Sequence, residues 1–348
     1  MLLTYSLYCL KLLIERRLRK FTLNLIMSHE FCKAPFLLKL MSICISSVEK
    51  AGFLIKQVVD KGELNLINKG NENEFDPQTE ADRLSQLCII GKLKECFPSM
   101  IVIGEEGELN DNLPKHVLTD IHPNEAVLKI NCPTEFYHLN EHNIIVWVDP
   151  LDGTNGFSKG IYEQVIISLG IASIEGSPIA GILHQPFCCN FPINSEEEAV
   201  DYSKSFKRTI WGIIDVGLYG LESRLRFRKA NSVALISKSH FTTKDLKLAQ
   251  ALDVDEVIST SGAAYKGLCV LEEEADILLY HSGGTKKWDI CAIDVFFRIL
   301  GGQLTDINGQ NYKYGPKTEF DNTFGVIASL KNHDNYIKKI KTYCLTNN

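Results

Sequence analysis

Short apolar runs that stop at acidic residues, set between stretches of helical period, constrain this chain more than any other feature. Residues 144–148 are a continuous apolar run of strand length that halts at Asp149-Pro150. Residues 100–104 have the same design and end at Glu105-Glu106. Residues 165–172 and 179–183 read as two further strands joined by a turn at Glu175-Gly176-Ser177-Pro178. Between such runs lie helices. Leu37, Leu40, Met41, Cys44, Ile45, Val48 and Phe53 recur at helical spacing, so residues 37–59 are expected to form an amphipathic helix. Residues 82–97 read as a second helix, ended by Pro98. Further on, 233–236, 257–258 and 275–280 read as strands, and 243–251 and 289–300 as helices. This alternation predicts a mixed α/β class with acids delivered at strand ends. Residues 107–142, polar and interrupted by Pro114, Pro123 and Pro133, are expected to be a surface excursion, and the polar stretch 195–207 a boundary between two halves.

Composition narrows the class. With 45% hydrophobic and 23% charged residues over 348 positions, the chain has an ordinary globular make-up. A formal net charge of -6 argues against nucleic acid as a partner, because polyanion binding shows as clustered Lys and Arg. The 11 cysteines are scattered from Cys9 to Cys344 with no C-x-x-C pair, and Cys188 and Cys189 are adjacent. Free thiols in a reducing compartment are the reading, hence a cytoplasmic protein. At the N-terminus, residues 1–14 carry Lys11 as their one charge and are too short to span a membrane. The basic residues Arg16, Arg17, Arg19 and Lys20 follow the apolar stretch, the reverse of a secretory signal. Two readings stay open: a mitochondrial presequence, or a non-native extension with translation starting at Met27.

The segment Asp149-Pro150-Leu151-Asp152-Gly153-Thr154 carries most chemical information. Two aspartates three residues apart on a tight turn repel each other unless a cation lies between them. Hard cations such as Mg²⁺ take carboxylate and backbone carbonyl oxygens of this kind. Gly153 lets backbone N–H groups approach a phosphate and Thr154 adds a hydroxyl. Each acidic motif also has a plain structural reading. Asp-Pro and Asp-Gly are common turns; Thr79 and Asp82 suit the N-cap and third position of a helix; Asp289, after Trp288, can complement a helix dipole.

Taken in order, Asp76-x-x-Thr79-x-x-Asp82, Gly104-Glu105-Glu106, the segment 147–154 and Lys287-Trp288-Asp289 resemble the inositol monophosphatase superfamily of lithium-sensitive, magnesium-dependent phosphatases. Within it, Ile182-Leu183-His184-Gln185-Pro186, Arg208-Thr209-Ile210-Trp211-Gly212 and Gly301-Gly302-Gln303-Leu304-Thr305-Asp306 look closest to the 3'(2'),5'-bisphosphate nucleotidases. The resemblance implies a layered α-β-α-β-α sandwich of the sugar-phosphatase type, with a metal-binding sub-domain at 27–194 and a nucleotide-contacting one at 195–348. Residues 1–26 then read as an extension, since such enzymes begin a little over twenty residues before the Lys50-Ala51-Gly52 element. It implies that Glu105, Asp149, the carbonyl of Leu151, Asp152 and Asp289 hold two or three Mg²⁺ ions. Asp82 and Thr154 would orient or deprotonate the attacking water, and the amides of Gly153 and Thr154 would hold phosphate oxygens. Ser237, His240, Gly262 and Lys266 would surround the nucleotide, with Lys266 on the non-reacting phosphate. The implied reaction is hydrolysis of adenosine 3',5'-bisphosphate to AMP and phosphate by a monomer that needs neither membrane nor nucleic acid. Two alternatives stand: an inositol phosphate phosphatase, toward which Asn155-Gly156-Phe157 leans, and an inactive metal-binding scaffold.

Overall fold

Two sheets stacked between three helical layers form the protein, as a computed structural model describes it for residues 29–70, 76–109, 115–189, 202, 205–224, 228–239 and 242–346. The first layer pairs α1 (Phe36–Lys61) with α2 (Glu80–Cys96). Its apolar stripe, including Leu37, Leu40, Met41, Ile45 and Val48, is wholly buried, and Gly62 ends α1 in a left-handed conformation. A short ribbon, β1 (Ile67–Asn68) with β2 (Pro77–Gln78), connects the two helices. The six-stranded sheet has the order β3 (Ile101–Gly104), β4 (Ile144–Asp152), β5 (Ile166–Ser173), β6 (Pro178–Cys188), β7 (Phe206–Ile213), β8 (Gly217–Tyr219). Only β3 and β4 run parallel in it. The second sheet has the order β10 (Glu256–Thr260), β9 (Val233–Ser237), β11 (Ile277–Tyr280), β13 (Val326–Ser329), β12 (Gln303–Thr305).

Between the sheets lie α4 (Ala263–Leu271) and α5 (Lys287–Ile299), while α3 (Thr243–Ala251) and α6 (His333–Thr346) cover the outer face. The expected five-layer α-β-α-β-α order is therefore present. The inner layer fits closely: a Cβ on Gly170 would lie 2.3 Å from Cys291 Cβ, and one on Gly181 2.7 Å from the Ala292 carbonyl. Bare backbone at those two points lets α5 lie flush on β5 and β6, which fixes the start of α5 relative to the end of β4.

Two expectations need correction. Residues 107–142 are more than a surface excursion: the short helices Lys115–Thr119 and Glu125–Leu128 bury Val117, Val127 and Leu128, and Ile121, Cys132 and Leu139 join the same core. A division at 194/195 does not match the sheets either, because β7 and β8 lie beyond it and complete the first sheet. Among the described residues no helix is long and apolar enough to cross a membrane, and the described cysteines are free thiols.

Candidate active site

Parallel pairing of β3 with β4 puts two acids side by side. Gly104 is in register with Val148, and the Glu105 N–H donates to the Val148 carbonyl at 3.0 Å, so Glu105 and Asp149 leave adjacent strands at the same level. Asp289 reaches them from α5, whose N-terminus is tied to β5 by Ser168 Oγ donating to the Trp288 carbonyl at 3.3 Å. Ser168 is the register partner of Asp149. Ligand oxygens of Glu105, Asp149 and Asp289 all lie within 4.8 Å of one another. Asp149 Oδ1 accepts the Leu151 N–H at 3.0 Å, whereas its buried Oδ2 has no partner. An orphaned carboxylate oxygen between two other acids is what a divalent cation satisfies, so this donor set fits Mg²⁺.

Crowding shows in the acid strengths. Burial, then Asp289, raises Glu105 to about 8. Burial, then Asp152, raises Asp289 to about 7. Asp149 rises well above the carboxylate range through burial and its neighbours Glu105, Asp152 and Asp289.

Asp152 shares the cleft but has a different local environment. Its Oδ1 accepts from Ala263 N–H at 3.0 Å, and its Oδ2 from Ala264 N–H at 2.8 Å and Tyr265 N–H at 3.4 Å. It thus caps the N-terminus of α4 while lying close enough to Asp289 and Asp149 to weaken them as acids. Gly262, at φ +74, precedes α4; a Cβ there would lie 2.8 Å from Asp152 Oδ2. Gly153, at φ +92, turns the chain into a short helix, Thr154–Phe157. Thr154 Oγ1 lies 2.9 Å from Asp82 Oδ1 and 3.0 Å from the Leu151 carbonyl. Asp82 Oδ2 accepts the Thr79 N–H at 2.7 Å, so the helix cap and the proposed water-orienting acid are one residue. Burial raises Asp82 to about 6.

A cleft of about 350 Å³ collects Glu105, Asp149, Leu151, Asp152, Gly153, Thr154, Ser237, Gly262 and Asp289. A larger cavity, about 610 Å³, lies at the other end of α5 beside Arg298, Tyr312 and Lys313, away from these acids. His240 lies outside the described residues. Lys266 is a correction: it is fully buried, with Nζ donating to the Thr260 carbonyl at 3.0 Å and lying 5.1 Å from the Tyr280 ring centre. It is enclosed behind Asp152 and Tyr280 and does not itself line the cleft. Its charge is instead felt by Asp152, and burial lowers its pKa to about 8. Sequence reasoning passed over Lys69, which reaches Glu105 and Glu106 from the ribbon and, as a lone Lys in a polar stretch, carries no signal without the fold. It took Asn155 only as a mark of substrate class, whereas its buried Oδ1 has no partner at the cleft wall.

Three acids thus converge on one point, beside the Thr154 hydroxyl and the turn at Gly153, in an arrangement able to hold a divalent cation. The model of the inositol monophosphatase family matches residues 37–344, and the chain belongs to that family and is a phosphatase. It is 32% identical over 304 residues to the human 3'(2'),5'-bisphosphate nucleotidase 1, covering 87% of this chain and 94% of that one. To the Dictyostelium discoideum protein of the same name it is 34% identical over 312 residues, 88% and 97% of the two chains. A solved IMPase/NADP phosphatase complexed with Mg²⁺ and phosphate superposes with a TM-score of 0.57 at 17% identity, covering 87% of this chain and 95% of that one.

Proposed function

We propose that the protein removes the 3'-phosphate of adenosine 3',5'-bisphosphate, giving AMP and phosphate, with water as the nucleophile and Mg²⁺ as cofactor. The partnerless Asp149 Oδ2, set between Glu105 and Asp289, carries the metal reading. Glu105, Asp149, Asp289 and the Leu151 carbonyl would hold the ions, with Asp152 joining from the cap of α4. When bound, Mg²⁺ lowers the pKa of water and neutralises charge on the departing oxygen. The chain supplies the rest. Asp82, poised near neutrality, takes a proton through the Thr154 hydroxyl that it orients. Gly153 and Thr154 line the cleft, and their amides would hold phosphate oxygens. Ser237 at the end of β9 and Gly262 line the same cleft and would contact the nucleotide, as would His240. Lys266 acts from behind, as the buried counter-charge of Asp152.

The substrate reading rests on the two nucleotidase relatives, both matched over most of their length. Asn155-Gly156-Phe157 keeps inositol phosphates as the second candidate class. Phosphate release from adenosine 3',5'-bisphosphate and from inositol 1-phosphate, each with and without Mg²⁺, separates them. Release from the nucleotide at the higher kcat/KM is expected, and the reverse order overturns the assignment. The described free thiols suit a reducing compartment such as the cytoplasm, and the nucleotidase resemblance supports a monomer. Li⁺, with half the charge of Mg²⁺ at similar size, is expected to inhibit; indifference to ~10 mM Li⁺ would count against the proposal.

A further inference from the structure

The ribbon β1–β2 brings to Glu105 a cation that the proposed reaction does not use. Lys69, next after β1, sets Nζ 3.0 Å from both carboxylate oxygens of Glu106. The same ammonium is 3.6 Å from Glu105 Oε1 and 3.9 Å from Asp76 Oδ1. Glu106 is the fixed point of this arrangement. Its side chain is 1% exposed, its N–H donates to Gln86 Oε1 at 3.0 Å, and its carboxylate accepts from Gln78 of β2. Gln86 in turn is pressed against bare Gly104, where a Cβ would lie 2.3 Å from Gln86 Oε1. Of the two consecutive glutamates, then, only Glu105 is in the metal cluster; Glu106 holds the lysine against it.

We propose that Lys69 is a positioning residue, a resident counter-cation that weakens the hold of the acids on a divalent ion and keeps positive charge at the cleft mouth for the phosphate. This rests on the reading of Glu105, Asp149 and Asp289 as metal ligands. The physical argument is one of sign. An ammonium in contact with a ligand carboxylate repels a divalent cation at that carboxylate. Deleting it therefore tightens metal binding, whereas deleting a group that merely holds the ribbon in place loosens it. Glu106 is predicted to act in the opposite sense, because removing its buried charge leaves Lys69 to pair with Glu105 and Asp76.

The experiment is calorimetric titration of the metal-stripped full chain with Mg²⁺, on wild type, Lys69→Gln, Lys69→Arg and Glu106→Gln. Lys69→Gln is expected to bind Mg²⁺ roughly tenfold tighter, a shift of the size that one unit charge gives at this contact distance in a partly screened site. Lys69→Arg should stay near wild type and Glu106→Gln should bind more weakly. In phosphate release, Lys69→Gln should raise KM more than it lowers kcat, with Lys69→Arg restoring both. Unchanged or weaker Mg²⁺ binding by Lys69→Gln, with wild-type binding intact, overturns this proposal alone. No binding by wild type overturns the metal reading and this proposal with it. Should Lys69→Gln not fold, Lys69→Met, which keeps the aliphatic stem, carries the same expectation.

Discussion

Replacing Thr154 by valine isolates the proton path. Valine keeps the branched shape and deletes only the hydroxyl that lies 2.9 Å from Asp82 Oδ1 and 3.0 Å from the Leu151 carbonyl. Asp82 is 1% exposed, so water does not take the vacated position, and its Oδ1 is left without its donor. An unpaired buried acceptor costs about 1–3 kcal/mol, and the penalty falls on the ionised form. The Asp82 pKa, already raised to about 6, therefore moves further up. Catalysis loses both the relay and part of the base, for which general acid–base transfer sets a scale of about 10²–10⁴ in kcat. The assay is kcat at saturating Mg²⁺ for wild type, Thr154→Val and Thr154→Ser, with urea unfolding at pH 5 and pH 7. Thr154→Ser should keep most activity. The stability lost in Thr154→Val should be larger at pH 7, where Asp82 is ionised, than at pH 5. A Thr154→Val enzyme within fivefold of wild-type kcat would refute the role given to this pair.

Three more outcomes follow from the same geometry. Asp149→Asn removes a charge from the cluster centre, so the stabilisation gained at a hundredfold excess of Mg²⁺ over Kd, about 2.7 kcal/mol, should vanish in a thermal melt. An Asn variant with the full Mg²⁺ shift would contradict the ligand set. Gly262→Ala places a Cβ 2.8 Å from Asp152 Oδ2 at φ +74, strain on the order of 1–3 kcal/mol; denaturant unfolding should show the loss and kcat/KM should fall with it. The metal-free protein should lose stability as pH rises. Glu105, Asp289 and Asp82 have folded pKa values of about 8, 7 and 6, above their unfolded values. Between pH ~4 and ~8 the folded state thus binds the extra protons and becomes less stable as they leave. Higher stability in EDTA at pH 8 than at pH 5.5 would contradict this sign.

What the chain announced and what it hid divide along physical lines. A buried strand such as residues 144–152 must be apolar until it meets the site, so Asp149 stands out against the run before it. Helix starts were equally plain, because Thr79 with Asp82 is a capping box whatever else it does. The burial of Lys266 was not legible, because a lysine within Ala263–Leu271 gives no sign of enclosure until the sheets cover that helix on both sides. The segment after residue 107 was taken for surface because its buried residues sit on helices of 5 and 4 residues, too short to show a period. The strands β7 and β8, the last two of the six-stranded sheet, were missed because β7 starts exposed and only gradually turns inward.

The helix-start readings of Asp82 and Asp289 proved true, whereas Asp149-Pro150 lies inside buried β4 rather than at a surface turn. Asp82 and Asp289 each occupy the third position of a capping box, and Asp152 caps α4 from outside. A cap takes one face of a carboxylate and fixes its rotamer through a short, local hydrogen bond. The opposite oxygen then points where the helix axis dictates, at little further entropic cost, and helix starts facing one cleft aim their acids at one another. The positive ends of α2, α4 and α5 meanwhile partly offset the repulsion that such convergence creates. On this account local caps aim Asp82 and Asp289, the N-terminus of α4 holds Asp152, and the pairing of β3 with β4 sets Glu105 beside Asp149, while Gly170 and Gly181, by letting α5 lie flat on the sheet, set the level at which Asp289 meets them.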